Sequence, residues 1–155
     1  MIRTTARRTA RTSLLAATLA LLAAAPAWAE MRMVESKNDF ATTLDKLRGA
    51  IEASPASVIF EVDHAAGAMK AGMELEPTTL VVFGNPAAGT QLMNADRTAG
   101  LSLPMKMLVM EKDGAVSLAY DDPKGLSAMH DLGEASGVTE KMSGLVGKLA
   151  EAAAN

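Results

Sequence analysis

The 155-residue chain contains no cysteine. Without a thiol it cannot form disulfides, thiolate zinc sites, iron–sulfur clusters or c-type haem attachments, and it cannot use a cysteine nucleophile. Histidine is almost as scarce, because the chain has only two, His64 and His130. Any histidine-based chemistry must therefore use one or both of these side chains.

Aromatic residues and positive charge are also in short supply. Aromatic side chains make up 3% of the sequence, and the sole tryptophan, Trp28, lies near the N-terminus. Four of the 15 basic residues precede residue 30, so residues 30–155 hold 11 basic and 18 acidic residues, a net charge of −7. A chain without a basic patch gains no counterion release from phosphates, and few rings remain to stack on bases. We therefore predict that nucleic acid is not a partner.

The first 29 residues differ in composition from the rest. They carry four arginines and no acidic residue, then an apolar run over 14–25, then Ala27-Trp28-Ala29. This order predicts a secretory signal peptide that is cleaved before Glu30. The apolar run is too short for the roughly 20 residues of a membrane span, so we predict a periplasmic or secreted protein without a membrane anchor. The pair Arg7-Arg8 leaves the twin-arginine export route open beside the general one.

Residues 30–155 show no internal repeat and no long linker, which predicts a single domain. Apolar residues from Phe40 to Ile51 recur with helical spacing, and Asn38 is the expected cap of that helix. A second long helix is expected over about 138–154, and shorter helices over 65–73 and 124–131. Strands are expected near 31–35, 58–63, 79–83, 105–110 and 116–120.

The turn signal Asp113-Gly114 between the last two strands predicts an antiparallel hairpin. We therefore predict an α+β fold with a mixed or mainly antiparallel sheet packed by two main helices. Two helices can cover only part of a five-stranded sheet. This incomplete cover favours a homodimer.

Several short segments resemble, in order and spacing, the domain-of-unknown-function 302 family. The segments are Asp63-His64-Ala65-Ala66, Gly72 to Leu80, Phe83-Gly84-Asn85-Pro86, Leu103-Pro104-Met105-Lys106, Tyr120-Asp121-Asp122-Pro123 and His130. The resemblance covers about 34–132 and leaves the last helix outside. It implies a small α+β domain that tends to dimerise, and it implies no agreed activity.

The candidate site residues lie where strands and helices end, since functional loops commonly gather there. His64 follows a strand, His130 follows a short helix, and each has an aspartate beside it in the sequence. The candidate ligand-binding residues are His64, Phe83, Gly84, Asn85, Pro86 and His130, and the candidate metal ligands are His64 and His130. Copper or zinc are the metals considered, although both histidines also fit simple capping or packing roles. Asn85 and Pro86 equally fit an ordinary helix start.

No catalytic residue is predicted from sequence motifs. The chain has no G-x-S-x-G element for a nucleophilic serine, and Ser102 and the other serines have no distinctive neighbours. It also lacks the glycine-rich loops that cradle nucleotide phosphates.

Methionine is the one residue in excess, with 11 copies. Packing in place of aromatic side chains accounts for most of them, including Met69, Met73 and Met107, and thioethers also suit copper. The preferred functional hypothesis is an exported, non-enzymatic binding or interaction domain that forms a homodimer and binds a small ligand. The alternatives are a metal-handling protein or small enzyme that uses His64 and His130, and an oxidation sink built on methionine.

Overall fold

The computed structural model describes residues 30–155, which form one five-stranded sheet with its main helices on one face. The strand order is β1-β5-β4-β3-β2, and every neighbouring pair is antiparallel. The α+β fold is thus confirmed, and the sheet is entirely antiparallel rather than mixed. The strands are β1 Met31–Glu35, β2 Ser57–Asp63, β3 Thr78–Gly84, β4 Met105–Lys112 and β5 Ala115–Asp121.

The two ends of this sheet hold different sets of loops. Strand pairing places the end of β5 beside the start of β4, the end of β3 and the start of β2, which together form the Asp121 end. The opposite end of the sheet, the Asp63 end, contains the end of β2, the start of β3 and the β4–β5 hairpin. In that hairpin Asp113 has φ 53° and Gly114 has φ 80°, the backbone that a two-residue hairpin turn requires.

Within residues 30–155, five α-helices connect or flank the strands. They are α1 Phe40–Glu52, α2 His64–Lys70, α3 Pro86–Ala95, α4 Leu126–Met129 and α5 Ser136–Ala154. Helices α1 and α5 are the two main helices; they pack side by side, α1 against β2 and β4 and α5 against β1 and β5. The short helices expected over 65–73 and 124–131 form over fewer residues.

Helix α1 shows how the sequence builds the core. Leu44, Leu47 and Ile51 lie on one stripe and are buried, Leu47 and Ile51 completely, where α1 packs against β2, β4 and α5. The expected cap, Asn38, is wrong by one residue. The carboxylate of Asp39 accepts the Thr42 N–H at 2.8 Å, whereas Asn38 donates its side-chain amide to the Ala153 carbonyl at 3.2 Å. Asn38 therefore ties α1 to the end of α5.

The opposite face of the sheet, here called the outer face, is largely apolar. Side chains alternate between the two faces along a strand, and directly paired residues on neighbouring strands share a face. A strand residue whose neighbours along the chain point into the core therefore belongs to the outer face. Met33 is 57% exposed and Phe60 is 52% exposed. The apolar members of the outer face are Met31, Met33, Phe60, Val62, Leu80, Val82, Leu108, Met110 and Ala119.

Candidate functional site

His64 lies at the Asp63 end of the sheet, as the first residue of α2, and it is exposed. Its neighbour Asp63 does not orient the imidazole, because the Asp63 carboxylate accepts the Ala66 N–H at 2.8 Å and caps α2. The aspartate beside His64 is thus explained by the start of a helix.

The turn from Phe83 to Pro86 lies at the Asp121 end and has a structural role. Phe83 is completely buried in the core. The Asn85 side chain accepts the N–H groups of Ala87 and Ala88 at 2.9 and 3.3 Å and donates to the Pro55 carbonyl at 2.8 Å. Asn85 caps α3 and Pro86 is its first residue, which matches the helix start that the sequence also allowed.

The structure separates His64 from this turn within one chain. Since β2 and β3 are antiparallel, the residue that ends β2 lies beside the residue that begins β3, away from the residue that ends it. Asp63, the residue before His64, pairs with Thr79. Thr79 and Phe83 are four residues apart on β3, which is about 13 Å along the strand. A site at the Phe83 to Pro86 turn therefore excludes His64 of the same chain.

His130 lies at the Asp121 end, so the structure does not bring the two histidines together to share a metal within one chain. Nitrogen ligands of zinc bond at about 2.0–2.1 Å, which requires two imidazoles to be close neighbours. Within residues 30–155 no group of three or more histidine, aspartate or glutamate side chains could hold a metal ion.

Instead, His130 is held by two hydroxyl groups. Its Nε2 atom is 2.8 Å from Ser102 Oγ, and its Nδ1 atom is 3.0 Å from Thr98 Oγ1. Behind Thr98 lies Asp96, whose carboxylate accepts the Thr98 hydroxyl at 2.7 Å and lies 3.8 Å from Nδ1. The His130 side chain is 7% exposed. These four side chains, Asp96, Thr98, His130 and Ser102, are called the His130 relay below.

The Asp96 carboxylate determines which atom donates in each hydrogen bond of the His130 relay. Hydrogen bonds from the side chain and the backbone N–H of Thr98 hold the pKa of Asp96 below its ordinary value, and the Asp131 N–H adds to this effect. An ionised carboxylate only accepts, so the Thr98 hydroxyl donates to it and must accept from Nδ1. Nδ1 of neutral His130 therefore carries the proton, and Nε2 accepts the proton of Ser102.

Ser102 also lines a cleft at the Asp121 end, the Asp121 cleft, with a volume of about 350 Å³. Its wall is mostly apolar, with four polar side chains among the apolar ones. The lining residues are Ser102, Leu103, Met105, Lys106, Asp121, Asp122, Pro123, Leu126, Met129 and Val146. The cleft thus combines a mostly apolar lining with a few polar groups.

Three charged side chains line the Asp121 cleft: Lys106, Asp121 and Asp122. The Lys106 ammonium donates to the carbonyls of Ser102 and Pro104 at 3.2 and 3.0 Å. Burial favours a higher pKa for Asp122, but the Ser143 hydroxyl, the Lys124 N–H and the charges of Arg32 and Lys124 outweigh it, so the Asp122 pKa lies below its ordinary value. Asp122 is therefore a carboxylate, and it also caps the short 3-10 helix Pro123–Gly125.

Sequence reasoning found His130 but missed its partners. Ser102 directly follows the 3-10 helix Arg97–Leu101. It does not lie at the strand-to-helix elbow that a G-x-S-x-G motif marks. The only local signal was its position next to Leu103-Pro104-Met105-Lys106, one of the segments that indicated the family.

The methionines divide into two groups. Met105, Met107 and Met142 are buried and pack the core, which is the role expected for Met107. The packing role is wrong for Met69 and Met73, which are 73% and 63% exposed because α2 and the segment after it leave the core.

Residues 32–149 match the family model of the domain of unknown function DUF302. The chain belongs to the DUF302 family. The motifs quoted above indicated this family, and the match extends beyond them to include most of α5. A crystal structure of an uncharacterized conserved DUF302 protein from Bacillus stearothermophilus superposes with a TM-score of 0.73 over 79% of this chain and 97% of that chain. Its sequence is 14% identical, so this likeness shows the DUF302 fold alone.

Curated proteins from Brucella contain a stretch similar to this DUF302 chain. A protein of Brucella suis biovar 1 (strain 1330) named fluoride-specific ion channel FluC 1 is 42% identical over 109 residues, which are 70% of this chain and 43% of that protein. FluC 2 of Brucella melitensis biotype 1 has the same identity over 40% of its length. The chain thus spans less than half the length of these relatives. None of the helices in residues 30–155 is long and apolar enough to cross a membrane.

Proposed function

We propose that this DUF302 domain is an exported small-molecule binding domain and that the Asp121 cleft is its binding site. The observation that carries the proposal is the cleft itself, about 350 Å³ in volume with a mostly apolar wall. Small molecules bind in clefts of roughly 300–1,000 Å³ that combine an apolar lining with a few placed polar groups. The fitting ligand has an apolar body and a polar end that reaches Lys106 and Ser102.

Native mass spectrometry of protein purified from the periplasm tests this proposal. We expect a bound small molecule that is lost in Lys106→Met, because the ammonium at the cleft rim holds the polar end of the ligand. Lys112→Met is the matched control, since Lys112 is an exposed lysine on the same strand and outside the cleft. A bare protein mass for the wild type, or a ligand retained by Lys106→Met, would contradict the proposal.

Fluoride, which the names of the Brucella relatives suggest, does not suit this cleft. Fluoride is a small anion, and the cleft offers it one ammonium, Lys106, against the two carboxylates of Asp121 and Asp122. The apolar wall cannot replace its water of hydration. We therefore expect fluorine-19 NMR to show no saturable binding of fluoride to the isolated domain.

Export is the second part of the proposal and comes from the sequence. Residues 1–29, the expected signal peptide, lie outside the described residues, so export remains a prediction. N-terminal sequencing of protein recovered from the periplasm should begin at Glu30. Recovery of the intact chain, beginning at Met1, from the cytoplasm would contradict it.

Dimerisation completes the proposal, with a second copy of the chain on the outer face. Support comes from the apolar side chains of that face, among which Met33 and Phe60 are more than half exposed. Large apolar patches mark interaction surfaces, and a twofold axis lets one patch bind its own copy.

A further inference from the structure

The His130 relay supplies the parts of a nucleophilic serine at the edge of the Asp121 cleft. A serine hydroxyl is a weak nucleophile unless a neighbouring base removes its proton, and the base works best when a third group orients it. Here Ser102 Oγ lies 2.8 Å from His130 Nε2, within the reach that proton transfer requires. The opposite nitrogen is fixed by Thr98 and, beyond it, Asp96.

The proton pattern of the relay has the direction that catalysis needs. Because the Thr98 hydroxyl is committed to the Asp96 carboxylate, His130 presents an unprotonated Nε2 to Ser102. When that nitrogen takes the serine proton, the resulting imidazolium lies 3.8 Å from the Asp96 carboxylate. The carboxylate thus stabilises the positive charge that develops on the base, as an orienting acid does in serine hydrolases.

The cleft also offers a group for the negative charge of a tetrahedral intermediate. The Ser102 and Leu103 N–H groups both donate to the Ala99 carbonyl, so neither is available to an oxyanion. The Lys106 ammonium lies beside the Ser102 and Pro104 carbonyls and lines the same cleft. A cation aimed at a developing oxyanion can replace backbone donors.

We propose that Ser102 is a nucleophile that hydrolyses small esters with an apolar acyl group held in the Asp121 cleft. This inference rests on the proposed role of that cleft as a binding site. It also departs from the expectation of a non-enzymatic domain.

Ester hydrolysis proceeds in two steps. Ser102 Oγ bonds to the ester carbonyl carbon while its proton passes to His130 Nε2. The ester C–O bond then breaks, and the leaving alcohol takes that proton. In the second step the oxygen of a water molecule bonds to the acyl carbon while His130 Nε2 takes one of its protons. The bond between the acyl carbon and Ser102 Oγ then breaks, and Oγ takes that proton from His130. The products are a carboxylic acid, an alcohol and free Ser102.

A fluorophosphonate probe and p-nitrophenyl butyrate test the inference on the full mature chain. We expect the intact mass to increase by one phosphonyl group, peptide mapping to place that group on Ser102, and ester hydrolysis above the buffer rate. Ser102→Ala should lose both signals. Ser127→Ala is the matched control, because its hydroxyl contacts Thr139 and not a histidine, and it should keep both.

His130→Gln distinguishes a general-base role of His130 from a purely structural hydrogen bond to Ser102. General base catalysis contributes about 10²–10⁴-fold, so labelling and hydrolysis should decrease by at least about 100-fold. In His130→Ala, added imidazole should restore part of the labelling rate, which a purely structural role would not allow. If either histidine variant fails to fold, the comparison of Ser102→Ala with Ser127→Ala still tests the nucleophile. Ser102 is partly exposed, so its replacement by alanine should leave the fold intact.

Two results would overturn the inference: no labelling of the wild type, or equal labelling of Ser102→Ala. Native mass spectra distinguish failure of this inference from failure of the proposed binding function. A bound small molecule sensitive to Lys106→Met, together with an unlabelled Ser102, would leave the binding site in place and reduce the His130 relay to a structural link. Labelling of Ser102 without any bound molecule would remove the binding proposal instead.

Discussion

At the scale of the residue, the ion pair between Arg48 on α1 and Glu61 on β2 shows how one side chain couples two elements. The guanidinium donates two hydrogen bonds to the Glu61 carboxylate at 2.8 and 2.7 Å and a third to Asp45. The hydrogen bonds from Arg48 hold the pKa of Glu61 below its ordinary value of 4.5. The pair is partly exposed, so its contribution to stability is modest.

Glu61→Gln should therefore lower the free energy of unfolding at pH 7 by no more than about 1 kcal/mol. A lowered pKa in the folded state stabilises the protein fully above the unfolded value, and this stabilisation is lost as the pH falls through the folded pKa. The difference between wild type and variant should thus shrink below pH 4.5. Urea unfolding at pH 7 and at acid pH measures it, with the exposed Glu52→Gln on α1 as control; a difference that does not depend on pH would contradict the assignment.

At the scale of the element, α5 carries glycines that its packing does not require. A Cβ built on Gly144 meets no atom within 4 Å, and one on Gly147 would meet only the Tyr120 hydroxyl at 3.7 Å. Glycine in a helix interior costs about 1 kcal/mol relative to alanine, because the unfolded chain has more freedom to lose. Gly144 therefore does not serve a close contact between α5 and a neighbouring element.

Gly144→Ala should consequently raise the free energy of unfolding by about 0.4–1 kcal/mol. Gly133→Ala is the opposing control, since Gly133 has φ 49° and an alanine there is strained even though open space surrounds it. Thermal and urea unfolding of the two variants should shift in opposite directions. Destabilisation by Gly144→Ala would show that this face of α5 is covered in solution.

At the scale of the whole molecule, the sheet has one face packed by α1 and α5 and one face, the outer face, with exposed apolar side chains. The expected homodimer would bury that outer face. Because a twofold interface brings the same patch of both copies together, one substitution changes both sides of it.

Phe60→Glu should therefore convert the dimer into a monomer, because it places two carboxylates in an apolar interface. Phe60 is 52% exposed, so the change leaves the core intact. Leu101→Glu is the control: Leu101 is 87% exposed on the 3-10 helix and outside the sheet. Light scattering should give twice the chain mass for the wild type and the control, and a monomeric wild type at high micromolar concentration would refute the interface.

The sequence by itself determined the elements, the cap and first residue of α3, and the β4–β5 hairpin, because each depends on residues within a few positions of one another. The stripe from Leu44 to Ile51 and the Asp113-Gly114 turn needed no knowledge of distant partners. Sequence motifs likewise determined the family. Only the tertiary structure decided which of these segments meet: antiparallel pairing of β2 with β3 separates His64 from the Phe83 to Pro86 turn. It also places His130 on Ser102, 28 positions earlier in the chain, a contact that no local spacing encodes.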